Sequence, residues 1–458
     1  MKSYQSDVAI IGAGIVGIAS AYYVKKLKPE LSVILIEASD PMALTSAQSG
    51  ENYRNWWPHP VMTAFTDHSI DLMEAIAKAT NNQIYMNRRG YALTTRLENT
   101  DTLMDELNHG YSQLRNSEIR IHSSQTASTY QPPFSPQWEI APSGVDVIQD
   151  PSLINKTFPS FDPTINSVIH IRRAGAISAQ QMGQYMMQCF KQSGGQYLKT
   201  EINAVDHHDS FALHTTSKDV TIRATHLVNA AGPFIQQIAK MLGVTLPVHN
   251  TLQQKIAFED TGKTIPRDMP FAIDLDDQSI DWTPEERQLL KDSEEHQWLT
   301  ELMPGSIHCR PEGGDNGNWV KLGWAFNQTS STPSRSPALM DSFPEIVLRG
   351  AAKLNPALKY YYAQLPRSML HYGGYYTLTD ENWPLIGPMD NEDKVENAYV
   401  VGAMSGFGTM AACAAGNLCA RHLTGIELPD YAHALSPERY KNASLMAEIH
   451  ALSQKGIL

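Results

Sequence analysis

The chain has 458 residues, 42% apolar and 18% charged, enough to bury the cores of two or three domains and too large for a small binding module. A net charge of −12 with no block of like charges disfavours nucleic-acid binding and leaves small molecules as the expected partners. No run of eighteen apolar residues predicts a membrane span, and the apolar N-terminus is interrupted by glycines in a way no leader requires, so the expected location is the cytoplasm. Cys189, Cys309, Cys413 and Cys419 have no metal or disulfide spacing and read as reduced core thiols.

Residues 7 to 37 predict a strand, a glycine turn, a helix and a second strand that ends in an acid. The apolar run Val8-Ala9-Ile10-Ile11 enters Gly12-Ala13-Gly14-Ile15-Val16-Gly17, a helix runs to about Lys28, and Ser32 to Ile36 delivers Glu37. Gly12 permits the tight turn, Gly14 lets backbone approach a pyrophosphate, and Gly17 lets helix and strand pack closely. The helix N-terminus offers amides and the positive end of a dipole. Glu37 is spaced to take ribose hydroxyls, which argues against a 2′-phosphate there.

Beyond this unit, residues 38 to 60 read as a loop, 61 to 80 as an amphipathic helix, and 84 to 95 as a hairpin around Arg88-Arg89-Gly90. A proline-flanked segment from Leu153 leads to Ala176, a helix covers Gln180 to Gln192, and Gly194-Gly195 hands over to a strand from Gln196 to Val205. The strand from Thr221 runs into Ala230-Ala231-Gly232, where small residues let backbone touch a cofactor or a neighbouring strand. From 247 to 370 strands alternate around a charged insert, Trp282 to Leu302, whose Thr283-Pro284-Glu285-Glu286 predicts a capped helix start and whose charge run predicts a solvated helix. Finally Tyr399-Val400-Val401 precedes Ser405-Gly406-Phe407-Gly408 and an alanine-rich helix, a second strand-glycine-helix turn able to present amides.

Other constellations carry less. His207 and His208 fall on opposite faces of a strand without a partner to complete a metal site, so no metal is expected. Ser405 is not in a G-x-S-x-G elbow, which argues against a hydrolase. His59, His371, Tyr372, Tyr375 and Tyr376 default to structural roles.

The N-terminal βαβ unit, the Ala230-Ala231-Gly232 strand end and the Ser405-Gly406-Phe407-Gly408 turn together resemble the D-amino-acid oxidase and sarcosine oxidase family of FAD enzymes. Thr45-Ser46 with Gly50 and Arg54, Lys321-Leu322-Gly323-Trp324, and Asn382-Trp383-Pro384-Leu385-Ile386-Gly387-Pro388 extend the resemblance over nearly the whole chain. It implies an α/β fold: a Rossmann-like FAD-binding domain, discontinuous in sequence (1–85 with 150–240 and 375–430), joined to a mixed-sheet α+β substrate domain (86–149 with 241–374), with a tail, 431–458, packed on the FAD domain.

The same resemblance implies that FAD is held by Gly12, Gly14, Ile15, Val16, Gly17, Glu37 and Ala38. Thr45, Ser46, Gln48, Ser49 and Ile202 would join them, as would Ala231 and Gly232. The C-terminal turn would add Gly406, Phe407, Gly408, Thr409 and Met410. By resemblance to sarcosine oxidases, Lys321 would sit near flavin N5 and help oxygen accept electrons, since a fixed cation stabilises developing superoxide. Arg54 would grip a substrate carboxylate bidentately, and Trp56 or Trp57 would wall the pocket.

Departures matter too. The cysteine that tethers flavin in some sarcosine oxidases is replaced by Gly374, and the histidine used by dimethylglycine-type dehydrogenases by Gln48, so non-covalent FAD is expected. A carboxylate-holding lysine of sarcosine oxidases aligns with Met410, which points away from sarcosine and towards a larger or less acidic amine, with Arg310 and Arg367 as further candidate anchors. The implied reaction is oxidation of an amine or amino acid by hydride transfer, which needs no protein base, with oxygen as acceptor. The alternatives are a dehydrogenase serving a quinone or carrier protein, a 2-hydroxy-acid oxidase, and a flavin-stabilised assembly protein whose pocket is filled by tryptophan. Oligomeric state is open.

Overall fold

The computed structural model describes residues 2–111, 118–125, 129–133, 138–217, 220–314, 316–389 and 395–451. Two large sheets organise them. The first has eight strands, and its central part is parallel: Gln196–Lys199, Val33–Glu37, Lys2–Ile11, Val220–Asn229 and Ala398–Gly402 lie side by side. Leu385–Pro388 closes one edge antiparallel to the last of these, and Ile202–His207 with Phe211–Thr215 forms an antiparallel extension. Strands buried on both faces must be apolar throughout, and Val8 to Ile11 and Val33 to Ile36 are.

Helices cover this sheet. Ile15–Leu27 packs against Gly408–Thr424, and Ala179–Gln192 and Pro60–Ala79 complete the layer. The two central helices approach closely because Gly416 lies on Ala19, where a Cβ would stand 2.5 Å from the Ala19 carbonyl carbon. His59 caps the Pro60–Ala79 helix: its Nδ1 accepts from the Val61 amide at 3.2 Å, and its Nε2 pairs with Glu448 at 3.0 Å.

The second sheet has nine strands, in the order Leu370–Leu378, His249–Glu259, Trp319–Trp324, Ile307–Glu312, Phe271–Asp274, Tyr91–Thr95, Ser167–Ile171, Val145–Ile148 and Ile119–His122. Its pairings are mostly antiparallel, with parallel joints at Tyr91–Thr95 and at Ile119–His122. Alternation divides the faces. Ile256, Phe258, Val320, Leu322 and Cys309 pack under the Phe343–Leu354 helix in one core. Their alternate neighbours Lys255, Ala257, Lys321, Gly323, His308 and Arg310 lie on the opposite face, which looks towards the first sheet.

Several boundaries differ from those expected. Ser167–Ile171, within the 150–240 stretch assigned to the FAD domain, pairs with Tyr91–Thr95 and Val145–Ile148, and Leu153, Ile154, Phe158 and Phe161 sit in the core of the second sheet. The segment 84–95 is not a hairpin. Only Tyr91–Thr95 is a strand, and its partners come from Phe271–Asp274 and Ser167–Ile171. Gly90, at φ +90°, admits the His170 ring, whose Nε2 would lie 2.1 Å from a Cβ there. Gln196 to Val205 is two strands broken at Thr200-Glu201, the first paired with Val33–Glu37 and the second with Phe211–Thr215. The 38–60 loop contains a short strand, Asn52–Arg54, paired with Ala174–Ala176.

The tail, as far as residue 451, packs on the first sheet. Arg439 is buried there: its Nε donates to Glu381 at 2.7 Å and its Nη1 donates to the Pro384 carbonyl. Residues 452–458 lie outside the described residues. The charged insert forms a helix, Pro284–Lys291, with the expected capping box and an exposed surface. It is not simply solvated, because Arg349 stacks on Trp282 and binds Glu286, while Trp282 donates to the Leu299 carbonyl. Among the described residues no helix is long and apolar enough to cross a membrane.

Candidate active site

The glycine turn after the first strand is formed by backbone packed against backbone. Gly12 has φ +104°, and a Cβ on it would lie 2.3 Å from the Ala230 carbonyl oxygen; one on Gly17 would lie 1.9 Å from the Gly12 carbonyl oxygen. No side chain fits at either position, so the chain passes bare beneath a long open cleft. Glu37 stands on its wall, accepting from the Ala13 amide at 2.8 Å and the Ser39 amide at 2.9 Å. Ser46 accepts from the Ile15 amide at 3.0 Å and so ties the 38–50 loop to the helix start.

This cleft continues into a second cavity of about 770 Å³, and the two share Gly14, Thr45, Ser46, Ala230, Gly232 and Pro233. The far end is framed by the Gly408–Thr424 helix N-terminus, by Gly374 and Tyr376 of the second sheet, and by Gln48 and Ser49, whose hydroxyl lies 2.6 Å from that of Thr409. A long trough with an acid on the wall at one end and helix amides at the other fits a two-part dinucleotide with a flat ring.

Most residues implied by resemblance line this trough. Gly12, Gly14, Glu37, Ala38, Thr45, Ser46, Ile202, Ala231 and Gly232 line the first part. Ile15, Val16, Gln48, Ser49, Gly406, Gly408 and Thr409 line the second, and Met410 lines a smaller chamber beyond it. Gly17 and Phe407 do not. Gly17 is consumed by the helix-to-turn contact, and the Phe407 ring packs edge-on against Trp57 at 4.7 Å. Gly374 and Gln48 touch one another: a Cβ on Gly374 would stand 3.1 Å from that of Gln48.

The smaller chamber lies between the trough and the second sheet; Tyr91, Phe271, His308, Tyr376 and Lys255 wall it from the second-sheet side, and Glu51, Asn52, Thr409 and Met410 from the other. His308 packs its Nε2 over Gly323, where a Cβ would be 2.2 Å away, so the glycine of Lys-Leu-Gly-Trp makes room for an imidazole. Burial, helped by Lys255, pushes that imidazole down to about 3. With Nδ1 donating to the Ser306 carbonyl, His308 is neutral at ordinary pH.

Lys321 sits on the same face behind this chamber and is not among its lining residues. Its Nζ is 2.9 Å from Glu312 Oε2, which Arg310 meets at 2.6 Å. Burial and the neighbouring guanidinium pull Lys321 below its ordinary value. Burial opposes ionisation of Glu312, but Arg310 and Lys321 outweigh it and hold the carboxyl down to about 2. Two cations and one anion leave the cluster with a net positive charge. Arg54 is also one layer back. Its guanidinium lies over Trp57 at 4.7 Å and near Tyr91 at 5.7 Å, and burial lowers it to about 10. Trp56 and Trp57 are core residues that line neither trough nor chamber.

Lys255 and His308 were not singled out by motif. The available signal was a lysine and a histidine inside strands otherwise suited to full burial. A grouping of His59, His109 and Glu448 has metal-like proximity. Acceptance of the Val61 amide by His59 Nδ1, however, leaves the proton on Nε2, facing Glu448 where a metal would have to bind.

A family profile described as FAD dependent oxidoreductase matches residues 7–422. The chain belongs to that family. FAD is therefore its cofactor, and the trough is where these residues would hold it. The fold is shared with glycine oxidase from Geobacillus kaustophilus (15% identity, TM-score 0.69, covering 94% of this chain and 98% of that one). It is shared equally with L-proline dehydrogenase from P. horikoshii (16%, 0.69, 96% and 99%) and with NikD, an amino acid oxidase of nikkomycin biosynthesis (16%, 0.70, 95% and 98%). No curated protein sequence matches the chain.

Proposed function

We propose that this FAD-dependent oxidoreductase oxidises an amine or amino acid, secondary or D-configured, with oxygen as the electron acceptor and FAD held non-covalently. When bound, FAD supplies the acceptor for a hydride from the C–H bond beside the substrate nitrogen. The observation that carries the reading is the chamber itself. It is small, abuts the far end of the trough, and joins the aromatic rings of Tyr91, Phe271 and Tyr376 to a neutral imidazole, the Lys255 ammonium and the polar side chains of Glu51 and Asn52. Such walls exclude water and position a small neutral amine without needing a base.

The chain's own groups then divide the work. The Arg310, Glu312 and Lys321 cluster keeps positive charge behind the chamber, which favours electron transfer to oxygen. Arg54 adds a further buried cation on the Tyr91 side. Glycine at 374 and glutamine at 48 supply no nucleophile for a covalent tether. A structural flavoprotein would fill this space with indole, whereas Trp56 and Trp57 pack elsewhere. The names of the structural neighbours, a glycine oxidase and a proline dehydrogenase among them, agree with an amino-acid donor.

The test is anaerobic titration of the purified flavoprotein with D-amino, N-methyl, cyclic imino and 2-hydroxy acids, followed by air and a peroxide assay. Bleaching by an amine and rapid re-oxidation with peroxide is expected. Bleaching only by hydroxy acids, or re-oxidation only by a quinone or carrier, would overturn the donor or the acceptor respectively.

A further inference from the structure

The strand next to the Leu370–Leu378 edge of the second sheet, His249–Glu259, is buried along nearly its whole length, yet it carries a lysine in its middle. Lys255 is 6% exposed. It stands opposite Gly323 on one side and Tyr372 on the other, so its side chain shares their face of the sheet. It lines both the flavin end of the trough and the chamber beyond it. The position where Gly50 would carry a Cβ is 3.9 Å from its Cε.

The polar surroundings of this ammonium are sparse. Its Nζ lies 3.4 Å from the Tyr376 hydroxyl and 5.3 Å from the centre of that ring. The nearby imidazole of His308 is neutral and donates elsewhere. Among the described residues no carboxylate forms an ion pair with Lys255, in contrast to Lys321, whose ammonium pairs with Glu312. A buried cation is costly unless an anion meets it. Across the chamber Tyr91 places a fully buried phenol whose hydroxyl has no hydrogen-bond partner. Two groups able to bind an anion therefore face a chamber whose wall also carries Glu51 and Asn52; Glu51 accepts from the Ala179 amide and forms no ion pair with Lys255, while Arg54 stands behind Tyr91 and not in the wall.

We infer that Lys255 is the substrate-anchoring cation of this enzyme, pairing with a carboxylate of the bound amine, with the Tyr91 hydroxyl as a second donor. The inference rests on the amine-oxidation reading and narrows it to amines that bear an acid group. Lys255 thereby takes the place of Arg54 as the group that meets the acid directly. It also supplies, from a different strand, a cation on a site where Met410 offers none.

The holoenzyme should be titrated with acetate and benzoate, and with the neutral analogues acetamide and benzamide, following the flavin absorbance change and the thermal midpoint. The same titrations are run on Lys255→Met, Lys255→Arg and Tyr91→Phe. We expect benzoate or acetate to perturb the wild-type flavin, to bind at least ~10-fold more weakly to Lys255→Met, and to be largely restored in Lys255→Arg. Amide binding should be alike in all four proteins, and Tyr91→Phe should show a smaller loss for the acids only. Unchanged carboxylate affinity in Lys255→Met overturns the inference, as does a wild-type flavin blind to every carboxylate. If Lys255→Met binds carboxylates normally but its chemically reduced flavin re-oxidises slowly, the lysine serves oxygen and the inference also fails. Failure of the amine-oxidation reading would show differently: carboxylates bind as described while no amine bleaches the flavin.

Discussion

The trough and the chamber adjoin each other but are built by opposite means. The trough is floored by backbone: Gly12 with the Ala230 carbonyl pressed against it, Gly14 at a helix N-terminus, and Gly17 packed beneath the turn, with Glu37 accepting from the Ala13 amide. The sheet side of the chamber is made of side chains delivered by different strands, with His308 seated over Gly323 and, one layer behind, Lys321 held by Glu312. Backbone machinery has little tolerance for side-chain change but is specified within thirty residues of sequence. Side-chain machinery is open to change and is specified only by the whole fold.

The sharpest way to break this contrast is at Gly17. A Gly17→Val substitution places a side chain where 1.9 Å separates Cβ from the Gly12 carbonyl, and should destabilise by at least ~4 kcal/mol and yield protein without flavin. Stable, yellow Gly17→Val protein would show that the turn is not backbone-limited. Lys321→Met tests the other half. Breaking a buried ion pair costs roughly 3–5 kcal/mol, and because Arg310 still faces Glu312 the lower end is expected in denaturant melts. Flavin content should be unchanged, and re-oxidation of reduced flavin should slow by on the order of 10²-fold. Unaltered re-oxidation would remove Lys321 from oxygen chemistry.

Acid tolerance sharpens the comparison further. The His308 value lies below that of an unfolded histidine, so its stabilising contribution is complete above pH ~6.5 and is lost as pH falls towards about 3, at up to ~1.4 kcal/mol per pH unit. His308→Gln should flatten the fall of the urea midpoint between pH 6.5 and 4. An identical slope in both proteins would mean the imidazole is not held neutral by burial. The smallest effect belongs outside both regions. Thr283→Ala, which removes the capping box of the insert, should cost ~1 kcal/mol or less and leave flavin affinity untouched.

The same contrast explains what could be read in advance. The βαβ unit, Glu37, Ala231-Gly232 and the Gly406 turn were legible because each is a local backbone requirement written in adjacent residues. Ser167–Ile171 was misassigned because membership of a sheet depends on partners at Tyr91–Thr95 and Val145–Ile148, which no window of sequence contains. Gly90 suggested a turn, yet its freedom is used to admit the His170 ring. Lys255 was invisible for a related reason. Nothing local distinguishes a lysine facing a chamber from one facing water until both neighbouring strands, Trp319–Trp324 and Leu370–Leu378, are in place.

The contact between Gly323 and His308 has a consequence for altering this enzyme's selectivity. The two positions behave as one joint, since any side chain at 323 must evict the imidazole, and loss of the imidazole leaves a hollow the size of its ring in the chamber proposed to hold the substrate. Residue 308 is thus the place to cut when a bulkier substrate is to be admitted. Residue 323 is the place to refill the space afterwards, with the sheet beneath left undisturbed.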